Sequence, residues 1–124
     1  MGLAGEPLQF NQIVEFAVAA RQQQQLVIAL LEQARRVTCT YPGFISATVQ
    51  ASEDGSRVIS QVLWESRQAC DAAMLGSEPG EPDLITLLTR HRVRAATFDT
   101  YQVIGRIQPR NRATLSGQTD TCAR

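Results

Sequence analysis

Lysine is missing from this 124-residue chain altogether, and cysteine, histidine and tryptophan are scarce: three Cys, one His and one Trp. Every one of the twelve basic residues is therefore arginine, a usage that fits a GC-rich coding sequence better than any physical demand. Twelve acidic residues balance them, so no net field draws the chain to nucleic acid or to an anionic membrane surface, both of which call for a basic patch. Cys39, Cys70 and Cys122 lie far apart, with no C-x-x-C pair and no His at ligand spacing. That pattern argues against a zinc site or a disulfide framework, and no metal is expected. Cys39 and Cys70 fall within helical patterns, where free Cys acts as a small buried hydrophobe. No apolar run approaches the roughly 18 residues that span a bilayer, and no basic patch followed by an apolar stretch opens the chain. A cytoplasmic protein is the expectation.

What is present is the composition of a folded domain. With 44% hydrophobic and 19% charged residues the chain stands well clear of disordered segments, and its length suits one core rather than two. Residues 1–10 hold two Gly and a Pro without period and read as a flexible tail. The domain is expected over 11–108, with a second tail over 109–124 that has little apolar content beyond Leu115.

Alternation over 12–20 sets Val14, Phe16 and Val18 against Ile13, Glu15 and Ala17, as a strand requires. Over 21–40 the period turns helical: Leu26, Leu30, Ala34 and Val37 share one side with Val27 and Leu31, while Gln22 to Gln25, Glu32, Arg35 and Arg36 face water. Tyr41-Pro42-Gly43 stops the helix. Alternation returns over 44–52, with Ile45, Ala47, Val49 and Ala51 against Phe44, Ser46, Thr48 and Gln50, and again over 57–64. Asp54-Gly55 between these runs is a hairpin signal. Ser66 caps a short helix over 67–75, and the acidic Pro/Gly stretch 76–82 reads as a surface loop. Asp83 caps a second helical piece ending near Arg92. The last strand is expected over 94–107, long for a domain of this size.

The order β-α-β-β-α-β is that of a ferredoxin-like α+β fold, a four-stranded antiparallel sheet carrying its helices on one face. Apolar residues also occupy the other face of the first three strands, which needs a cover. A second copy packed sheet to sheet supplies one, so a homodimer is expected, with part of the long last strand pairing or packing across the boundary.

Three stretches resemble the antibiotic biosynthesis monooxygenase family: Tyr41-Pro42-Gly43-Phe44 entering the second strand, the Asp54-Gly55 hairpin, and Leu63-Trp64-Glu65-Ser66-Arg67-Gln68-Ala69 closing the third strand and opening a helix. The likeness spans about 12–107, and the family's dimeric α+β barrel agrees with the pattern. The W-x-S-x-x-A run also has an account without chemistry, in which Trp64 anchors the strand end, Ser66 caps the helix and Ala69 lets helix and sheet approach.

The resemblance implies a reaction. Members of the family oxidise anthrone-type aromatic polyketides to quinones without metal, flavin or haem, the electron-rich substrate anion itself reacting with O2. Such a site is apolar enough for a flat polycycle and holds the enolate with a base or hydrogen-bond donors. Ser60, Val62 and Trp64 share one face of a strand, so that a hydroxyl and the indole N–H can meet in one pocket. On this resemblance the catalytic candidates are Trp64, His91 and Ser60, and the substrate-binding candidates are Tyr101, Phe44 and Val62. His91 is the one side chain whose ordinary pKa lies near neutrality and the candidate base; its place between Arg90 and Arg92 suits a solvated helix end equally well. Asp99 shares a face with Tyr101, and Glu15 faces either an interior cavity or an arginine across a dimer.

The chain departs from the family in two respects. Where the resemblance implies an Asn four residues before the Trp, as in the anthrone oxygenases, this sequence has Ser60. Haem-degrading relatives use an Asn in strand one and a His beyond the Trp, where this chain has Phe16 or Val14 and Met74, so haem is not expected. The expected protein is a cofactor-independent, homodimeric monooxygenase that meets a small aromatic substrate and O2 in antibiotic biosynthesis. The alternatives are a polyketide cyclase using the same cavity and a non-catalytic binding module whose pocket is filled with side chains.

Overall fold

In the computed structural model, which describes residues 8–75 and 84–110, the alternating runs form four strands: β1 (Phe10–Ala17), β2 (Phe44–Ala51), β3 (Arg57–Trp64) and β4 (Ala95–Gln102). They make one antiparallel sheet in the order β2, β3, β1, β4. The helical periods form α1 (Ala20–Arg36), α2 (Arg67–Leu75) and α3 (Leu84–Arg90). This is the expected ferredoxin-like arrangement. The stretch 76–82, Asp83, Cys122 and most of both expected tails lie outside the described residues. No helix among the described residues is long and apolar enough to cross a membrane.

Register decides which side chains share a face, because directly opposed residues of an antiparallel pair point the same way. Phe10, Gln12, Val14 and Phe16 oppose Trp64, Val62, Ser60 and Val58. This is the helix-covered face. Leu26 and Leu30 of α1 and Leu87 of α3 pack with Val14, Phe16, Val18 and Val58 in one core cluster. Cys70 and Ala73 of α2 join Phe10 and Trp64 in a second. The remaining face carries Ile13, Glu15, Ile59, Leu63, Asp99 and Tyr101.

The hairpin between β2 and β3 is held by a clamp rather than by a two-residue turn. One carboxylate oxygen of Asp54 accepts from the Ser52 hydroxyl at 2.9 Å, the Ser56 amide at 2.9 Å and the Ser56 hydroxyl at 2.7 Å. These bonds, those from Ser56 foremost, hold the Asp54 carboxyl down at about 2. Gly55 follows with φ +84°, a conformation that favours glycine. Gln23, expected to face water, instead donates to the carbonyls of Ser52 and Arg57, both at 3.0 Å, and ties α1 to this hairpin.

Three local readings change. α1 ends at Arg36, and the chain passes through a 3-10 turn over Thr38–Thr40. The β-branched Val37, Thr38 and Thr40 are poor helix formers, and the Thr40 hydroxyl bonds the Val37 carbonyl at 2.7 Å. Cys39 belongs to this turn, its thiol donating to the Arg35 carbonyl at 3.2 Å. Second, a bulge at Ile45 shifts the register of β2 and turns Phe44 to the face of Trp64, opposite to the assignment by simple alternation. Third, β4 has eight residues, not the longer run expected. Its partner β1 begins at Phe10, opposite Gln102. Among the described residues one further bond, from the Val103 amide to the Gln9 carbonyl at 2.8 Å, extends the ladder past Gln102.

Candidate functional site

Helices and sheet do not close completely on each other. A cavity of about 320 Å³ lies between them and takes walls from both core clusters. Its floor is sheet: Gln12 and Val14 of β1, Ser60, Val62 and Trp64 of β3, and Val49 of β2. Its roof is α1 and the turn that follows, with Leu30, Gln33, Ala34 and Val37 leading to Thr38 and Tyr41. Ala73 and Met74 of α2 border it, as does Phe98 of β4. Met74 and Phe98 are 54% and 55% exposed and mark its open rim.

The polar groups of the floor are organised around Trp64, which is fully buried. Phe44 stacks edge-on against it, ring centroids 6.0 Å apart and planes at 86°, a favourable aromatic geometry. The indole N–H donates to Oε1 of Gln12 at 3.1 Å. An indole only donates, so this bond fixes the amide: Oε1 faces Trp64 and the NH2 group faces away. That NH2 lies 3.6 Å from the Met74 sulfur, a weak acceptor, which leaves Gln12 with donor capacity at the cavity. The indole N–H is consequently spent within the protein rather than offered to a ligand.

Ser60, Val62 and Trp64 are brought together on one wall, whereas Phe44 packs against Trp64 and does not itself line the cavity. The other two candidates stand elsewhere. Tyr101 opposes Asn11 on the far face of the sheet and is 52% exposed. His91 follows α3, its amide bonded to the Leu87 carbonyl at 3.1 Å, and is not on the cavity wall. Burial, then the neighbouring Arg90 charge, lower its pKa. Glu15 lies on the same face as Tyr101 and pairs with Arg57 of its own chain at 3.4 Å. Among the described residues no three His, Cys, Asp or Glu side chains gather as metal ligands would.

Gln12 is the cavity residue that reading by alternation passed over. The strand-one position near Trp64 belongs to it, not to Phe16 or Val14. Its signal is faint but present, since Gln12 alternates in phase with Val14 and Phe16 and is thus a polar residue on a buried face. The W-x-S-x-x-A run behaves as its structural account requires. Ser66 Oγ accepts from the Ala69 amide at 3.1 Å, and Gly43, at φ +87°, sits so close to Ala69 that a Cβ there would collide with the alanine methyl.

The family model described as antibiotic biosynthesis monooxygenase matches residues 10–77, and no curated protein sequence matches the chain. Among solved structures, a monooxygenase from the gene ActVA-Orf6 of Streptomyces coelicolor, in complex with the ligand Nanaomycin D, is 28% identical. It superposes with a TM-score of 0.69 over 82% of this chain and 93% of its own. SnoaB, a cofactor-independent oxygenase from Streptomyces nogalater, is similar in fold at 15% identity, with a TM-score of 0.59 over 82% of this chain and 98% of its own. A dimeric ferredoxin-like protein from an uncultured marine organism matches at 12% identity and a TM-score of 0.65, over 82% and 100%.

Proposed function

Since the chain belongs to the antibiotic biosynthesis monooxygenase family, we propose that it is a cofactor-independent monooxygenase of an aromatic polyketide or related phenolic intermediate. The observation that carries this reading is the cavity beside Trp64: apolar on most of its wall, open at one rim, and supplied at its floor with the Gln12 amide and the Ser60 hydroxyl. A binding module with its pocket filled by side chains does not suit such a hollow.

In this reading a flat ring system lies against Val62 and Val49, and the Gln12 NH2 and Ser60 hydroxyl donate to its phenolic or enolic oxygen. Those bonds favour the anion over the neutral form. Electron transfer from the anion to O2, recombination to a substrate hydroperoxide and loss of water convert a ring CH2 to a C=O, one oxygen atom entering the product and the other leaving as water. The substrate gives up the four electrons that O2 takes. His91 is off the wall, so the proton passes to water at the rim and the substrate's own acidity sets the rate at a given pH.

The reading includes a homodimer formed through the far face of the sheet. Ile13, Ile59 and Leu63 are only half-buried there, and Asn11 Oδ1 is a buried acceptor without a partner among the described residues. The test of the activity is oxygen uptake by metal-free protein with a panel of anthrones and hydroxynaphthalenes. One O2 consumed per quinone formed is expected; absence of uptake across the panel rejects the proposal.

A further inference from the structure

Met74 stands where the cavity opens. It borders the hollow from α2, it is 54% exposed, and its sulfur lies 3.6 Å from the Gln12 NH2 group. That amide is not free to turn away, because its oxygen is held by the indole N–H of Trp64 at 3.1 Å. A thioether is a weak acceptor, so the NH2 lies against the sulfur yet is barely engaged by it. The cysteine sulfurs among the described residues stand differently. Cys70 is 3% exposed and burial raises the pKa of its thiol; Cys39 gives its hydrogen to the Arg35 carbonyl at 3.2 Å. Met74 alone among these offers solvent a sulfur lone pair beside a donor of the cavity.

We infer that Met74 is a site of oxidation by hydrogen peroxide, and that its sulfoxide takes the Gln12 NH2 hydrogen bond away from whatever occupies the cavity. A sulfur lone pair attacks one oxygen of the peroxide. The O–O bond breaks as the S–O bond forms, and the departing hydroxide takes the proton of the transferred oxygen and leaves as water. Sulfur gives up the electron pair that the peroxide accepts. The product turns an apolar side chain into a polar one, with a strong acceptor on its flexible end. Rotation about its last bonds brings the new oxygen within hydrogen-bonding distance of an NH2 that already touches the sulfur. The cavity then loses its Gln12 donor while the fold stays as it was, and a methionine sulfoxide reductase reverses the change.

The test treats the full chain with millimolar hydrogen peroxide and then with dithiothreitol, which reverses sulfenic acids and disulfides but not a sulfoxide. Peptide mapping should place one added oxygen atom on Met74, in the peptide from Gln68 to Arg90 that cleavage after arginine releases. In NMR spectra of an isotope-labelled sample, the Gln12 side-chain amide is the signal missing from Gln12→Leu. After oxidation it should move downfield and exchange more slowly with water; the reductase should return it, and in Met74→Leu the same treatment should leave it in place. No oxygen on Met74, or a sulfoxide that leaves the Gln12 amide signal where it was, overturns the inference. Its bearing on catalysis rests on the oxygenase reading. Oxidised protein should lose roughly tenfold in kcat/KM, whereas Met74→Leu should lose nothing further on treatment; an unchanged kcat/KM in fully oxidised protein also overturns the inference. Absence of oxygen uptake, with mass and amide signals behaving as expected, removes the oxygenase reading and leaves the inference standing.

Discussion

At the scale of single residues the site turns on a bond between side chains 52 positions apart, Trp64 to Gln12. In the proposed reaction the indole, by locking the amide, acts on the substrate through Gln12 instead of touching it with its own N–H. Gln12→Leu removes the donor while keeping bulk and the apolar core. Its expected effect is a fall in kcat/KM of roughly ten- to a hundredfold, the size of one hydrogen bond to a charged group. His91→Gln, by contrast, should leave both the rate and its pH profile unchanged, as measured by oxygen uptake from pH 6 to about 9. A lost alkaline or acidic limb in that variant restores His91 as the base. The facing of Ser60, Val62 and Trp64 was legible in the sequence because a strand's alternation is local. The role of Gln12 was not, since its partner comes from another strand.

At the scale of elements, two junctions place the site. One is the approach of α2 to the start of β2, where Gly43 meets Ala69 and the Gly43 carbonyl accepts from the Glu65 amide at 2.8 Å. Gly43→Ala adds a methyl where none fits and forces it into a positive φ. A loss of about 1–3 kcal/mol in chemical denaturation is expected, partly recovered in the double variant with Ala69→Gly because the two sites share one contact. The other junction is the β2–β3 hairpin. Asp54 is held at about 2 in the fold against 3.8 for the free group. Its contribution to stability is therefore full above about pH 4 and is lost as pH falls through about 2. The melting-temperature difference between the wild type and Asp54→Asn should shrink steadily on acidification from about pH 5 to about pH 2. A constant difference contradicts the clamp. The Asp-Gly signal marked this turn in the sequence, while the serines on either side, which make the clamp, carry no signal of their own.

At the scale of the whole molecule, one sheet has two faces with different tasks. The face bearing Trp64 builds the cavity with α1 and α2; the other bears Ile13, Ile59 and Leu63 and is given to the proposed dimer. Sedimentation at micromolar concentration should find a mass of two chains, and Leu63→Arg, which sets like charges together across a two-fold interface, should yield one chain with the far-UV dichroism of the fold retained. A wild-type mass of one chain rejects this arrangement. Tyr101 belongs to that face by its register with Asn11, which is why a residue picked for its phenol stands across the sheet from the cavity.

By itself the sequence determined the succession of elements and, away from the bulge at Ile45 and the contact of Gln23 with the hairpin, the side residues take within a strand or helix, because pleat and helical turn are set by neighbours a few residues apart. Even the bounds of β3 and α2 could be read that way. Only the tertiary structure decided how far β4 extends, which face Phe44 joins, where His91 comes to rest and which amide holds the indole. Each of these depends on a partner distant in the chain: the first residue of β1, a bulge against β3, the seat of α3, and a glutamine on the neighbouring strand. Period carries no record of such pairings, and the hollow between helix and sheet exists only once they are made.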